Sequence, residues 1–404
     1  MVVKNLVVVN DYAHVSGGAS QVAINSARGM SARGLRVHFL AAVGPVDPGL
    51  PAAGVEVTCL GQPDILNNPS RLAAAKSGIW NRAAAQGLEQ LLASMDRTST
   101  VVHVHSWSKA LSPSVFEVIR RLGFRGVLTE HDFFSVCPNG GFFDYRRHEI
   151  CHRTALGLDC ISTNCDARSY AQKLWRVTRQ VVANRFAGLP SGISDVIFLS
   201  ETSRRVLEPY HDPSVRWHFV RNPVDVDREE RVRPGTATDF IYVGRLAPEK
   251  GAELFAEAAA EAGVAMRIVG DGDMRADIQK RFPAVTFSGW LPKAGVIGAI
   301  RSSRCLVFPS RWYETFGLTV YEAMAQGVPV IVAEGCAAAD AVTHGRNGLL
   351  FPRNDGAALA AALRQYSDDA RVEDASRAAY EGYWTDPPSL ESHCRTLAAV
   401  YDQL

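Results

Sequence analysis

The chain predicts an α/β protein of two doubly wound domains. Short apolar, β-branched runs alternate with longer helical patterns, the alternation occurs in two separate series, and a glycine-bearing turn follows the opening strand of each series. With 404 residues, each domain receives roughly 200, enough to bury a core of its own. Strands of the first series are expected at 5–10, 36–42, 55–60, 100–105, 126–130, 195–199 and 215–220, and those of the second at 239–243, 265–269, 284–288, 305–308, 328–332 and 348–351. Between them, Val220-Arg-Asn222-Pro223-Val-Asp225 and the polar stretch 227–238 read as a connection. Residues 1–222 thus form a first domain with a Cys-rich insertion at 137–165, residues 223–384 a second, and residues 385–404 a terminal helix with Leu390, Leu397, Val400 and Tyr401 on its apolar side.

Composition narrows the function classes. A formal net charge of +1 removes any global electrostatic case for nucleic acid. No apolar run approaches the roughly 18 to 20 residues of a bilayer span. Residues 1–10 read as a first buried strand and not as a signal peptide, so a cytoplasmic location is expected. There is no internal repeat and no low-complexity tract.

In the first domain, strand one runs into Asp11-Tyr-Ala-His14-Val-Ser16-Gly17-Gly18-Ala19-Ser20, a glycine loop opening a helix. The spacing differs from the Gly-x-Gly-x-x-Gly of a dinucleotide site, which counts against a nicotinamide oxidoreductase. Val101-Val-His103-Val-His105 alternates along a strand, so the two imidazoles point the same way. Leu128-Thr-Glu130-His131-Asp132 closes the next strand with three titratable groups.

The second domain opens with Asp239-Phe-Ile-Tyr-Val-Gly244-Arg245-Leu-Ala-Pro-Glu249-Lys250-Gly251, a strand and a glycine turn carrying two cations into a helix. Arg245 offers a planar fork and Lys250 a point charge to a phosphate. Met266-Arg-Ile-Val-Gly270-Asp271-Gly272 ends another strand in a Gly-x-Gly turn. Most informative is Ser310-Arg-Trp-Tyr-Glu314-Thr-Phe-Gly317-Leu-Thr-Val-Tyr-Glu322, which sets two carboxylates eight residues apart around a loop-to-helix junction. The first N–H groups of that helix, from Phe316, Gly317, Leu318 and Thr319, form an anion site suited to a diphosphate. Glu314 then falls where sugar hydroxyls would lie, and Glu322 where it can accept hydrogen bonds from ribose.

These segments, with Glu322-Ala-Met-Ala-x-Gly-x-Pro-Val-Ile and Gly-Arg-Leu-x-x-x-Lys-Gly, resemble the signature of the retaining family 4 glycosyltransferases of GT-B architecture. The resemblance implies two Rossmann-like domains facing across a cleft, with the C-terminal helix crossing back to the first. It implies that Arg245 and Lys250 contact the donor diphosphate, that the Gly270-Asp271 turn lies near the base, that Gly17 and Gly18 approach the diphosphate from the opposite side, and that His131 contacts the transferred sugar. The expected reaction moves a sugar from a nucleoside-diphosphate sugar, uridine first and guanosine next, to a hydroxyl of a glycan, glycolipid or small acceptor in surface-glycan synthesis. Chemistry of this kind uses Arg, Lys and helix amides and needs no cofactor. A GT-B nucleotide-sugar epimerase and a non-catalytic sugar-nucleotide-binding subunit stand as alternatives. The junction departs from the family's Pro-Asn-Gly-Val-Asp, having Asn222-Pro223 in reversed order and no glycine.

Cys137, Cys151, Cys160 and Cys165 place half of the eight cysteines in 29 residues. A structural zinc held by these four, with His148 or His152 as substitutes, is one expectation; reduced buried cysteines, disulfides and an iron–sulfur cluster are others, since no Cys-x2-Cys knuckle occurs. Residues 168–186 read as a helix with Leu174, Val177 and Val181 on one stripe and Lys173, Arg176, Arg179 and Arg185 mainly elsewhere. Such a basic amphipathic helix suits peripheral contact with an anionic membrane, at its inner face.

Overall fold

The computed structural model describes residues 3–404, which divide into two compact units. Met1–Gly141, His152–Pro223 and Pro388–Leu404 make the first unit; Phe142–Cys151 and Val224–Pro387 make the second.

The first unit is built on a seven-stranded parallel sheet of β1 (Asn5–Tyr12), β2 (Arg36–Val43), β3 (Glu56–Cys59), β4 (Thr100–Val104), β5 (Arg125–Thr129), β8 (Asp195–Phe198) and β9 (Arg216–Phe219). The intervening β6 (Phe143–Asp144) and β7 (Glu149–Ile150) pair antiparallel within the second unit. That small ladder is the strand pair the sequence reading lacked, because two-residue strands carry no periodicity. β1 is buried along its whole length, as its run of Val and Leu requires for a strand covered on both faces. Leu6 lies opposite Val37 of β2 and Val101 of β4, so the strand order reverses on either side of β1.

The second unit repeats the plan. β10 (Phe240–Val243), β11 (Met266–Val269), β12 (Thr286–Gly289), β13 (Cys305–Phe308), β14 (Val330–Ala333) and β15 (Gly348–Phe351) form one parallel sheet in the order β12-β11-β10-β13-β14-β15. Its core gathers Phe240, Phe255, Ile268 and Phe351 with the helix residues Leu359 and Leu363. The order reverses between β10 and β13, and such a switch point opens a crevice beyond the strands' C-terminal ends, where doubly wound sheets bind ligands. All thirteen strands expected from the sequence occur within two residues of the expected ends.

The terminal helix Leu390–Gln403 belongs to the first unit and buries Leu397, Val400 and Tyr401. It packs on the helix Gly18–Ala32, where Ser26 Oγ lies 2.8 Å from His393 Nε2. A Cβ on Gly29 would stand 2.4 Å from Cys394 Sγ, so only glycine admits the helix this closely.

One expectation is corrected. The helix Tyr170–Val182 buries Lys173, Val177, Arg179 and Gln180, while Leu174 and Val181 of the expected apolar stripe face solvent. The cations turn inward because each finds partners there. Arg179 donates to the Ser108 carbonyl at 2.9 Å and lies 4.7 Å over the Phe134 ring. Among the described residues no helix is long and apolar enough to cross a membrane.

Candidate active site

The loops leaving β10 and β13 meet at the switch point of the second unit. After Gly244 and Arg245, a short turn over Pro248–Lys250 leads into the helix Ala252–Ala262. Arg311 N–H donates to the Glu249 carbonyl at 2.9 Å, tying the two loops together. Gly270, at the end of β11, comes so near that a Cβ there would lie 1.9 Å from the Gly244 carbonyl oxygen, and its φ of 134° suits glycine alone.

Four charged groups face one another across these loops. Lys250 Nζ donates to both Glu314 oxygens, at 2.8 and 3.0 Å, and Ser310 Oγ donates to Glu314 Oε1 at 2.8 Å. The Lys250 ammonium also lies 4.9 Å over the Trp312 ring. Arg245 pairs with the buried Glu249 at 2.6 Å, yet its side chain remains 65% exposed and can turn to another anion. Glu314 itself is buried and holds a left-handed backbone, φ 54°, a conformation that costs a side-chain-bearing residue about 1 kcal/mol or more. Strain of that sort persists where surrounding contacts impose it.

The helix Leu318–Gln326 begins directly after this loop, with Gly317 as its cap at φ 90°. A Cβ on Gly317 would lie 2.6 Å from Ala338 Cβ. The N–H groups of Leu318 and Thr319 have no carbonyl one turn earlier, so they remain available to an anion. Phe316 stacks on Tyr321 at 4.5 Å and fixes the entry of the chain. Glu322, one turn in, makes no hydrogen bond or ion pair with the described residues; burial raises its carboxyl above the usual range, against the pull of Lys293. Lys293 instead pairs with Asp225. Asp271 accepts from Gly272 N–H at 2.8 Å and pairs with Arg275 at 2.9 Å.

Of the residues expected in the first unit, Gly17 caps the helix Gly18–Ala32, and a Cβ built there would meet nothing within 4 Å. His131, half-buried, meets two buried histidines: its Nε2 lies 3.0 Å from His105 Nδ1, the two rings stack, and His105 lies against His103. His103 is held at both nitrogens, 2.7 Å from Thr129 Oγ1 and 2.7 Å from Tyr401 Oη. Burial, with His393 adding to it, brings the His131 imidazole down to about 3 and keeps it neutral. Burial also raises Glu130 to about 8, and its Oε1 has no hydrogen-bond partner. Asp11 accepts the N–H groups of Lys109, Ala110 and Leu111, anchoring the β4 loop to the end of β1. The parts played by Thr129, Tyr401 and His393 carry no local sequence signal, since they come from β5 and the terminal helix.

The expected zinc set does not form. Among the described residues no group of three or more His, Cys, Asp or Glu side chains could hold a metal ion. Cys151 belongs to the second unit and Cys137, Cys160 and Cys165 to the first. The Lys173 ammonium lies 3.4 Å from Cys160 Sγ and 3.3 Å from Cys165 Sγ.

Two parallel doubly wound sheets, each with loops at its switch point, are the architecture of the GT-B class. Residues 16–228 match the model of Glycosyltransferase Family 4, and residues 224–383 that of Glycosyl transferases group 1. The chain therefore belongs to glycosyltransferase family 4. It is 44% identical over 110 residues to a GDP-mannose-dependent alpha-mannosyltransferase of Mycolicibacterium smegmatis, covering 27% of this chain and 29% of that protein. A protein of the same description from Corynebacterium glutamicum is 35% identical over 161 residues, covering 40% and 38%. The chain thus spans well under half the length of these relatives. The crystal structure of Anabaena HepE in complex with UDP superposes with a TM-score of 0.66 at 17% identity, over 99% of this chain and 100% of that one, which is a likeness of fold.

Proposed function

We propose that the protein is a retaining glycosyltransferase that moves a sugar from a nucleoside-diphosphate sugar to a hydroxyl of a glycan, glycolipid or small acceptor, in surface-polysaccharide or glycoconjugate synthesis. The observation that carries this reading is the Lys250–Glu314 pair at the switch point, beside a helix N-terminus and an unpartnered Glu322. In this reading the diphosphate takes the N–H groups after Gly317, displaces Lys250 from Glu314 and draws Arg245 from Glu249. Glu314, freed of the ammonium but still bonded to Ser310, then accepts hydroxyls of the sugar. Glu322 accepts the ribose hydroxyls, and Gly270 and Asp271 border the base.

As the glycosidic bond breaks, negative charge grows on the leaving diphosphate, where two cations and a helix terminus stabilise it without proton transfer. The acceptor hydroxyl approaches on the same face of an oxocarbenium-like sugar, so the anomeric configuration is kept. His131 is assigned to the transferred sugar, and Gly17 and Gly18 to the diphosphate. Guanosine and uridine are both supported as bases, the first by the mannosyltransferase relatives and the second by the UDP held in HepE. The enzyme is assigned to the cytoplasm, in peripheral contact with anionic membrane. Flotation with anionic vesicles tests that contact, and binding indifferent to salt and lipid charge would remove it.

The function is tested by incubating the full chain with GDP- and UDP-sugars and candidate acceptors, following the anomeric proton by NMR. A new glycoside of unchanged anomeric configuration is expected. Conversion of the nucleotide sugar without any acceptor would favour an epimerase, and inversion would contradict the assignment.

A further inference from the structure

Lys173 is 1% exposed, and among the described residues the hydrogen-bond acceptors of its ammonium are two sulfurs, Cys165 Sγ at 3.3 Å and Cys160 Sγ at 3.4 Å. Nearby cations find oxygen instead, Arg176 on Asp166 at 2.9 Å and Arg179 on the Ser108 carbonyl. Burial pulls the Lys173 pKa down, but Cys165, Cys160 and Cys137 outweigh it and raise it. A nitrogen nucleophile and two oxidisable sulfurs thus lie in contact in a site that water scarcely reaches.

We propose that Lys173 and one of Cys160 and Cys165 are a covalent modification site, at which peroxide closes a nitrogen–sulfur cross-link between the helix Tyr170–Val182 and the segment 158–165. The thiolate attacks hydrogen peroxide, breaking the O–O bond to give the sulfenic acid and hydroxide, and the Lys173 ammonium protonates that hydroxide to water. The neutral amine then attacks the sulfenic sulfur. An N–S bond forms, the S–O bond breaks, and the departing hydroxide leaves as water with a proton from nitrogen. Sulfur is oxidised by two electrons, one peroxide is reduced, and two waters are formed. Because the amine already touches both sulfurs, condensation competes with further oxidation and with disulfide formation. A dithiol reductant returns the amine and thiol, so the link is reversible.

Tryptic mapping of the full native chain, treated with hydrogen peroxide and then alkylated, tests this. A linked Lys173 resists cleavage, so the expected species joins residues 169–176 to residues 154–168 at their summed mass less two hydrogens, disappears with dithiothreitol, and is missing from the Cys160→Ser/Cys165→Ser double variant. Release of residues 169–173 in full, with residues 154–168 carrying an internal disulfide or sulfinic acid, would overturn the proposal. Mapping the wild-type protein does not depend on whether any variant folds, and Lys173→Gln provides a second check: the linked pair persisting there would also refute it.

Discussion

The two units share a sheet topology but treat polar groups in opposite ways. In the second, Arg245, Lys250, Glu314 and Glu322 sit on loops at the strand ends, where each is exposed, exchangeable or unpartnered. In the first, buried His103, held by Thr129 and by Tyr401 of the terminal helix, lies behind His105 and the half-buried His131. A loop of ion pairs can trade a protein partner for a ligand at small cost. His103, with both nitrogens satisfied, cannot, so it holds shape.

The largest effect should come from breaking the exchangeable side. Glu314→Gln keeps the Ser310 hydrogen bond but weakens the hold on Lys250, and turnover should fall about a hundredfold or more while nucleotide affinity changes little. Steady-state kinetics beside nucleotide titration would check this, and full turnover in the variant would end the role assigned to Glu314. Glu322→Gln removes a charge-assisted acceptor with no protein partner to strand, so nucleoside affinity should drop about tenfold with stability unchanged.

On the closed side, Tyr401→Phe leaves a buried His103 nitrogen unmatched and should cost about 1–3 kcal/mol in a urea titration, without a direct effect on nucleotide binding. Protonation sharpens the same contrast. His131 and His393 are depressed to about 3 and about 4, so in acid the unfolded chain binds protons that the folded chain refuses. Their contribution is complete above about pH 6.5 and is lost as pH falls toward those values, about 2 kcal/mol per histidine by pH 5. Glu130, raised to about 8, acts in the other direction: its contribution is present below the usual carboxylate range and is lost as pH rises through about 8. Urea midpoints across pH 5–9 should therefore peak near neutrality, and Glu130→Gln should flatten the alkaline limb. The smallest effect should be at the outward-facing Leu174 and Val181, where serine should change stability by no more than about 0.5 kcal/mol.

Much of this contrast was visible in the sequence, and the reason is locality. Strand periodicity and the strand–turn–helix segments around Gly244 and Gly317 are properties of a dozen consecutive residues, so fold and switch-point loops could be read directly. The pairing of Lys250 with Glu314 spans 64 positions and that of His103 with Tyr401 spans 298, and no pattern along the chain encodes them. In the helix Tyr170–Val182 apolar periodicity does not mark the buried face; there Lys173 and Arg179 are drawn inward by sulfur, carbonyl and aromatic partners contributed by other segments. Cysteine spacing likewise suggests a metal, but it carries no information about the lysine that meets two of these sulfurs.

The central claim is that the switch-point loops of the second unit hold a nucleoside diphosphate through Lys250. Calorimetric titration of UDP and of GDP into the wild-type chain and into Lys250→Ala tests it most directly. One nucleotide should bind the wild-type protein, and Lys250→Ala should weaken it about 10- to 100-fold by loss of a charge-assisted contact. Equal affinity in both proteins, or binding of neither nucleotide to the wild type, would contradict the assignment.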